Sequence, residues 1–316
     1  MVAVGILSAL ASTILAVAAE ETLAWAYPVN PPGLKSRAED GVLRHVPESA
    51  AAYSVTQLRD GFLTPVWHPE DHPPLPPIVS KGRKPDVMAC GFCHRADGPG
   101  GPENACLTGL PASYIVQQMA DYKSGLRKTA VRKRNVDLMI ALSATITDAE
   151  VAEAAAYFST LKPKSRIRVV ETNSVPKTFV AGWFLAAAED GGQEPIGQRI
   201  IEIPEDLEQF ENRDARSRFI AYAPPGSLAR GENLVNTGGA GKTIQCVICH
   251  GVGMKGLANV PPISGRSPSY LVRQLNDIKT GARNGITTQL MKATVANLAV
   301  DDMVAIAAYL ASLPRE

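Results

Sequence analysis

CGFCH at Cys90–His94 and CVICH at Cys246–His250 are the two stretches on which this sequence turns. C-x-x-C-H is the attachment signature of c-type haem. Two thiols one helical turn apart can add to the two vinyl groups of one porphyrin, and the adjacent His places an imidazole on the iron. A zinc site would need four N or S ligands that converge, and the two motifs stand far apart in the chain. A thioredoxin-like site would use C-x-x-C once and has no use for the following His. The pair predicts two covalently held haems, with Cys90, Cys93, His94 and Cys246, Cys249, His250 as their anchors.

The chain repeats itself around these motifs. The displacement of 156 positions that carries Cys90 to Cys246 also carries SYIVQQMADYKSGLR, Ser113–Arg127, onto SYLVRQLNDIKTGAR, Ser269–Arg283. Tyr114 meets Tyr270, Gln118 meets Gln274, and Asp121 meets Asp277. Beyond a deletion of four residues in the second copy, EAAAYFSTL ending at Leu161 meets AIAAYLASL ending at Leu313. The repeat also nominates the second axial ligands, since iron held by one His takes Met, His or an open position opposite. Of seven methionines, the shortened displacement pairs Met139 with Met291. Met119 and Met303 have no methionine counterpart and read as core, and Met88 and Met254 stand too near the motifs to cross to the other face. The metal ligands expected are therefore His94 with Met139 and His250 with Met291.

These residues resemble the tandem-domain, two-haem cytochromes c of bacteria. C-x-x-C-H is followed by Y-x-x-x-Q-x-x-D-x-x-x-G-x-R, then a Met, then a terminal helix ending A-Y-x-x-x-L. The resemblance implies a mainly α fold of two class I cytochrome c domains in tandem, here joined by a long irregular, partly β connector. In such proteins a Pro carbonyl accepts the imidazole proton and fixes its tautomer. Pro261 matches that position in the second copy, whereas Ala105 stands there in the first. Arg127 and Arg283 are candidate haem-propionate partners, because a guanidinium fork suits carboxylates, with solvated helix ends as the alternative.

The expected organisation is a signal peptide or membrane anchor at 1–26, a Pro-rich arm at 27–79, a first haem domain at 80–162, a connector at 163–229 and a second haem domain at 230–316. Val2–Ala19 carries no charge, and A-x-A spacings at Ala16/Ala18 and Ala24/Ala26 offer two cleavage positions. Export to the periplasm with cleavage is expected, with an uncleaved anchor facing the periplasm as the alternative. In the connector, RIRVV, QRIIEI and RFIAYAPPG pattern as short strands. His68 and His72 read as loop residues packed over a haem edge. Cys106 reads as a buried free thiol. GGAGKT, ending at Thr243, lacks a glycine that a phosphate loop requires.

The charge balance, 32 Lys plus Arg against 31 Asp plus Glu, removes the basic excess on which nucleic-acid binding leans. The reading is an electron carrier of the respiratory type, with closed His/Met coordination at both irons. A dihaem enzyme of the peroxidase or thiosulfate dehydrogenase type would need an open or exchangeable iron site. A cytochrome subunit of a membrane dehydrogenase or oxidase complex is the third reading. Redox proteins are the expected partners, and the basic run Lys123–Arg134 reads either as a solvated face or as a docking patch for acidic ones near the first haem.

Overall fold

A computed structural model describes residues 23–315. The apolar N-terminal segment read as signal peptide or anchor falls, up to residue 22, outside the described residues. The described part of that segment is packed into the protein. Leu23, Trp25, Ala26 and Tyr27 are buried, and the Tyr27 hydroxyl donates to Asp277 Oδ1 at 2.9 Å.

The arm contributes two short helices, α1 (Val55–Arg59) and α2 (Pro77–Ser80). The first motif forms α3 (Cys90–His94), followed by α4 (Ala112–Lys123), α5 (Arg134–Thr145) and α6 (Asp148–Thr160). Helix α6 starts on a capping box: Thr147 Oγ1 accepts from the Glu150 amide, and Glu150 reaches back to the Thr147 amide. Its buried side chains Val151, Ala154, Ala155 and Phe158 follow helical spacing. They close a core with Ile78 and Val79 of the arm and Ile115 of α4.

Strands β1 (Ile167–Glu171), β2 (Ser174–Pro176), β3 (Thr178–Val180), β4 (Leu185–Ala187), β5 (Gln193–Pro195), β6 (Ile201–Pro204) and β7 (Phe219–Ala223) follow, with α7 (Leu207–Glu211) between the last two. The three segments expected as strands are β1, β6 and β7 and form one sheet. In it β7 runs parallel to β1, with Ile167 opposite Phe219, and antiparallel to β6, with Ile203 opposite Ile220. Two antiparallel ribbons, β2 with β5 and β3 with β4, complete the strands.

The remaining helices are α8 (Ser227–Thr237), α9 (Val247–His250), α10 (Pro268–Lys279), α11 (Gln289–Val295) and α12 (Val300–Ser312). Ile201, Ile203, Ala221 and Ala223 of the sheet share one core with Leu234 of α8, Val272 of α10 and Met303 and Leu310 of α12. The segment read as a connector is thus fused to the second haem unit through a common core. It also grips the arm. Trp67 Nε1 donates to the Asn212 carbonyl at 2.8 Å, and Arg216 binds Glu48, Glu70 and Asp71 at 2.7–2.8 Å.

The two units differ at one position of the repeat. In the second, α8 crosses α12 closely, and a Cβ on Gly231 would stand 2.1 Å from the Ala305 carbonyl oxygen. In the first, the four-residue α2 of the arm packs on α6 beside α4.

Gly231→Ala should therefore destabilise the second unit, by about 1–3 kcal/mol for a forced overpacking, read as a lower unfolding midpoint. The α6 cap gives a pH test. The Arg83 side chain and the Thr147 amide hold the Glu150 carboxyl down to about 2. A depressed carboxylate stabilises the fold above its unfolded pKa, and that stabilisation is lost as pH falls through the folded value. Glu150→Gln should flatten the stability profile as pH falls from 4.5 toward 2, measured by denaturant titration.

Candidate haem sites

His94 and His250 stand at the ends of α3 and α9, and both are buried. His94 Nδ1 lies 2.8 Å from the Ala105 carbonyl, and His250 Nδ1 lies 2.8 Å from the Pro261 carbonyl. The acceptor is backbone in both, so the contact expected at Pro261 forms equally where Ala105 replaces it. With Nδ1–H donating, Nε2 of each ring is left as a lone-pair donor. Burial pushes His94 down to about 4 and lowers His250 as well, so both rings are neutral at physiological pH. Burial also raises the Cys90 thiol to about 12 and the Cys246 thiol to about 11.

A cavity of about 490 Å³ runs past both motifs without interruption. His94 and Met139 line its first half, and Cys246, Cys249, His250 and Met291 line its second. A smaller pocket of about 70 Å³ adds Cys90, Cys93 and Trp183 to the His94–Met139 side. Each paired Met thus lines the same cavity as its own motif histidine. Met119 also faces the first half of the cavity, and Met254 and Met303 are core. The lining is mainly apolar, as a porphyrin requires. Two buried guanidinium nitrogens within it, Arg266 Nη2 and Arg283 Nε, have no hydrogen-bond partner, which suits propionate carboxylates. The residues present fit two haems. Arg266 is a site residue that the sequence reading missed, and its place directly after PPISG is the signal it offered.

Arg127 and Arg283 are not solvated helix ends. Arg127 reaches across to the Tyr270 hydroxyl at 3.1 Å, and Arg283 reaches back to the Tyr114 hydroxyl at 2.7 Å. Each also binds the glutamine of its own repeat: Arg127 to Gln118 at 2.9 Å, and Arg283 to Gln274 at 3.0 Å. Backbone bonds from Lys128 N to Ala282 O and from Asn284 N to Leu126 O close the seam. The repeat therefore builds its own pseudo-twofold interface between the haem units.

The basic run is not a continuous solvated face. Arg127 is in the seam. Lys133 is buried with its ammonium on the Pro28 and Trp183 carbonyls, and Arg132 pairs with Asp137 at 2.9 Å. Only Lys123, Lys128, Arg132 and Arg134 of the run are exposed. His68 is occupied by Asp214 at 3.1 Å in the arm–connector contact, and His72 Nδ1 lies 2.9 Å from the Pro73 carbonyl. Cys106 is buried. Burial would raise its thiol, but Arg315 and Arg266 outweigh that and bring it below the ordinary value. Residues 238–243, the phosphate-loop lookalike, are a turn after α8 in which Thr243 Oγ1 donates to the Thr294 carbonyl at 2.7 Å.

Among proteins of known family, residues 227–310 match the model for the cbb3-type cytochrome c oxidase subunit III. The thiosulfate dehydrogenase electron acceptor of Thiomonas intermedia is 26% identical over 234 residues, 73% of this chain and 81% of that protein. Cytochrome c4 of Pseudomonas aeruginosa is 26% identical over 233 residues, 72% of this chain and 85% of that one. Cytochrome c-554(548) of Halomonas halodenitrificans is 34% identical over 88 residues, 28% of this chain and 96% of that one.

The seam is testable. Arg283→Gln leaves Tyr114 and Gln118 without their shared donor, at a cost of about 1–3 kcal/mol for buried polar groups. Hydrogen exchange at the Lys128 and Asn284 amides should accelerate together, while exchange in the α6 core stays unchanged.

Proposed function

Because this chain belongs to the cytochrome c4-like family of dihaem cytochromes c, electron carriers built on two c-type haems, we propose that His94 with Met139 would hold the iron of one haem and His250 with Met291 that of the other. Cys90 and Cys93 hold one porphyrin in this reading, and Cys246 and Cys249 the other. The observation that carries it is the single cavity lined both by each motif histidine, its Nδ1 fixed on a backbone carbonyl, and by the methionine the repeat assigns to it.

When bound, the haems supply reversible one-electron chemistry. The chain's own part is to hold the ligands still and keep water out. The Ala105 and Pro261 carbonyls fix the tautomer and plane of each imidazole, which keeps Nε2 aimed into the cavity through a redox cycle. Apolar walls such as Leu107, Ile115, Leu271 and Ile306 keep the local dielectric low. Arg266 and Arg283 offer guanidinium donors to the carboxylates that enter with the cofactor. Because both units open into one cavity across the Arg127–Arg283 seam, transfer between the two centres is internal to the fold.

We also place the protein in the periplasm, exported and working with redox-protein partners. A cut after Ala26 would remove Leu23, Trp25 and Ala26 from the second core, whereas a cut after Ala18 keeps all three. The Ala16-x-Ala18 position is therefore the cleavage site in this reading. Among the described residues no single helix is long and apolar enough to cross a membrane. A second reading, a cytochrome subunit of a membrane oxidase complex, draws on the description of the family model that covers α8–α12.

Haem counted per chain and the long-wavelength Met–iron absorption of the oxidised protein test the ligands. Two haems and a band of full strength are expected. Met139→His and Met291→His should each halve the band and lower the potential of one centre only. A band unchanged by either replacement sinks that assignment. Mass analysis of the exported protein should find Ala19, not Tyr27, at its start.

A further inference from the structure

The two motifs stand in opposite surroundings. The first is roofed: a Cβ on Gly91 would collide with the Thr64 side chain and meet the Val79 carbonyl at 3.0 Å. From the connector side, the Arg213 guanidinium stacks 3.8 Å from the centre of the Phe92 ring and donates to the Phe92 carbonyl at 2.7 Å. Trp183 closes the small pocket beside Met139.

The second motif has no such roof. Ile248 inside it is 61% exposed, Val252 just after it 87%, and Leu257 59%. None of these three lines the cavity, so their exposure does not depend on the cofactor. They adjoin one another, since a Cβ on Gly251 would lie 3.8 Å from Leu257 Cβ. Large aliphatic side chains left this open beside a functional centre mark an interaction surface.

The charge around this face is one-sided. From Asn233 to Val300 the sequence contains a single carboxylate, Asp277, and it is buried in the seam. Lys255 and Lys292 are exposed and make no ion pair among the described residues. The first motif lacks this bias, because Arg83 beside it is paired with Glu150 and Asp86.

We propose that the carrier exchanges electrons with protein partners through the face of its second motif, around Ile248, Val252 and Leu257. The partner is a one-electron redox protein whose own cofactor edge is apolar and ringed by carboxylates. The roofed first centre trades electrons with it only by way of the second. This rests on the dihaem reading above and adds to it where electrons cross. An apolar centre gives close approach, and the lysines steer an acidic surface onto it, an attraction that weakens with salt.

Plastocyanin, an acidic one-electron copper protein, is the probe. Each encounter moves one electron: cupric copper becomes cuprous as one ferrous iron of the carrier becomes ferric. Stopped-flow oxidation of the fully reduced carrier gives the rate, and nuclear magnetic resonance titration of plastocyanin gives the affinity. Val252→Glu with Leu257→Glu, and separately Lys255→Glu with Lys292→Glu, should each lower both quantities at least ten-fold at low salt. Lys81→Glu with Lys84→Glu, on the first unit, should change them less than two-fold. The unmodified rate should fall as salt rises. Equal losses from the first-unit pair, second-unit variants within two-fold of the parent, or no salt-dependent reaction at all would each overturn the proposal. Haem content and a reversible redox titration of the same samples report on the dihaem reading separately, so a failure of either is distinguishable.

Discussion

Two buried guanidiniums, one from each repeat, set the geometry of this protein. A charged group out of water is tolerated only where its donors are met, and neither Arg127 nor Arg283 finds enough acceptors within its own unit. Each gains an acceptor from the tyrosine of the opposite unit. The units are therefore interdependent: separating them would strand two cations and two phenols at once. That requirement brings the two halves of the cavity into continuity, and with them the two histidines.

On this symmetric seam the arm and the connector impose an asymmetry. Both are irregular in sequence, yet neither is loose. Arg216 gathers three carboxylates of the arm, and Trp67 buries its ring while its N–H reaches the Asn212 carbonyl. Surface ion pairs contribute little singly, but a network around one guanidinium with a buried indole beside it has direction as well as energy. The cost of ordering so long an insert falls on that network, and its visible result is that one motif is covered while its copy is open.

What was legible in the sequence was what covalent chemistry and repetition dictate. Thiol spacing is fixed by the porphyrin, so the sequence nominates the anchors, and the repeat nominates Met139 and Met291 among seven methionines; both methionines line the cavity that holds the motif histidines. The three strands of the main sheet were visible because their apolar residues cluster. The roles of Arg127 and Arg283 were not, because each partner lies in the other repeat and pairing by homology points to the equivalent residue rather than the complementary one. The coincident pairing of Tyr114 with Tyr270 and Gln118 with Gln274 was the available sign. Lys133 and Arg127 were misread as parts of a charged face because a run of charges in a loop carries no record of which side chains turn inward. The fusion of the sheet with the second core was hidden for a similar reason: it depends on contacts between α12 and strands about a hundred residues earlier.

The imidazole anchors show how little the chemistry demands of a side chain at that point. What the ligand needs is an oxygen in the ring plane that holds Nδ1–H through both oxidation states. A backbone carbonyl supplies this from any residue whose chain path is right, so Ala105 and Pro261 are equivalent in the contact while differing in sequence. Their difference lies in the chain around them: proline stiffens the segment that carries the carbonyl, and alanine leaves the same task to the surrounding hydrogen bonds. In the first unit those bonds exist, since Asn104 Nδ2 donates to the Cys93 carbonyl and Thr108 Oγ1 to the Asp97 carbonyl. The loop is pinned on both sides of Ala105 by side chains that the second unit does not require. Equal ligand geometry is thus reached by two routes, one covalent and one by hydrogen bonds, and the second leaves its polar groups close to the centre they orient. That leaves the two imidazoles in electrostatically different surroundings.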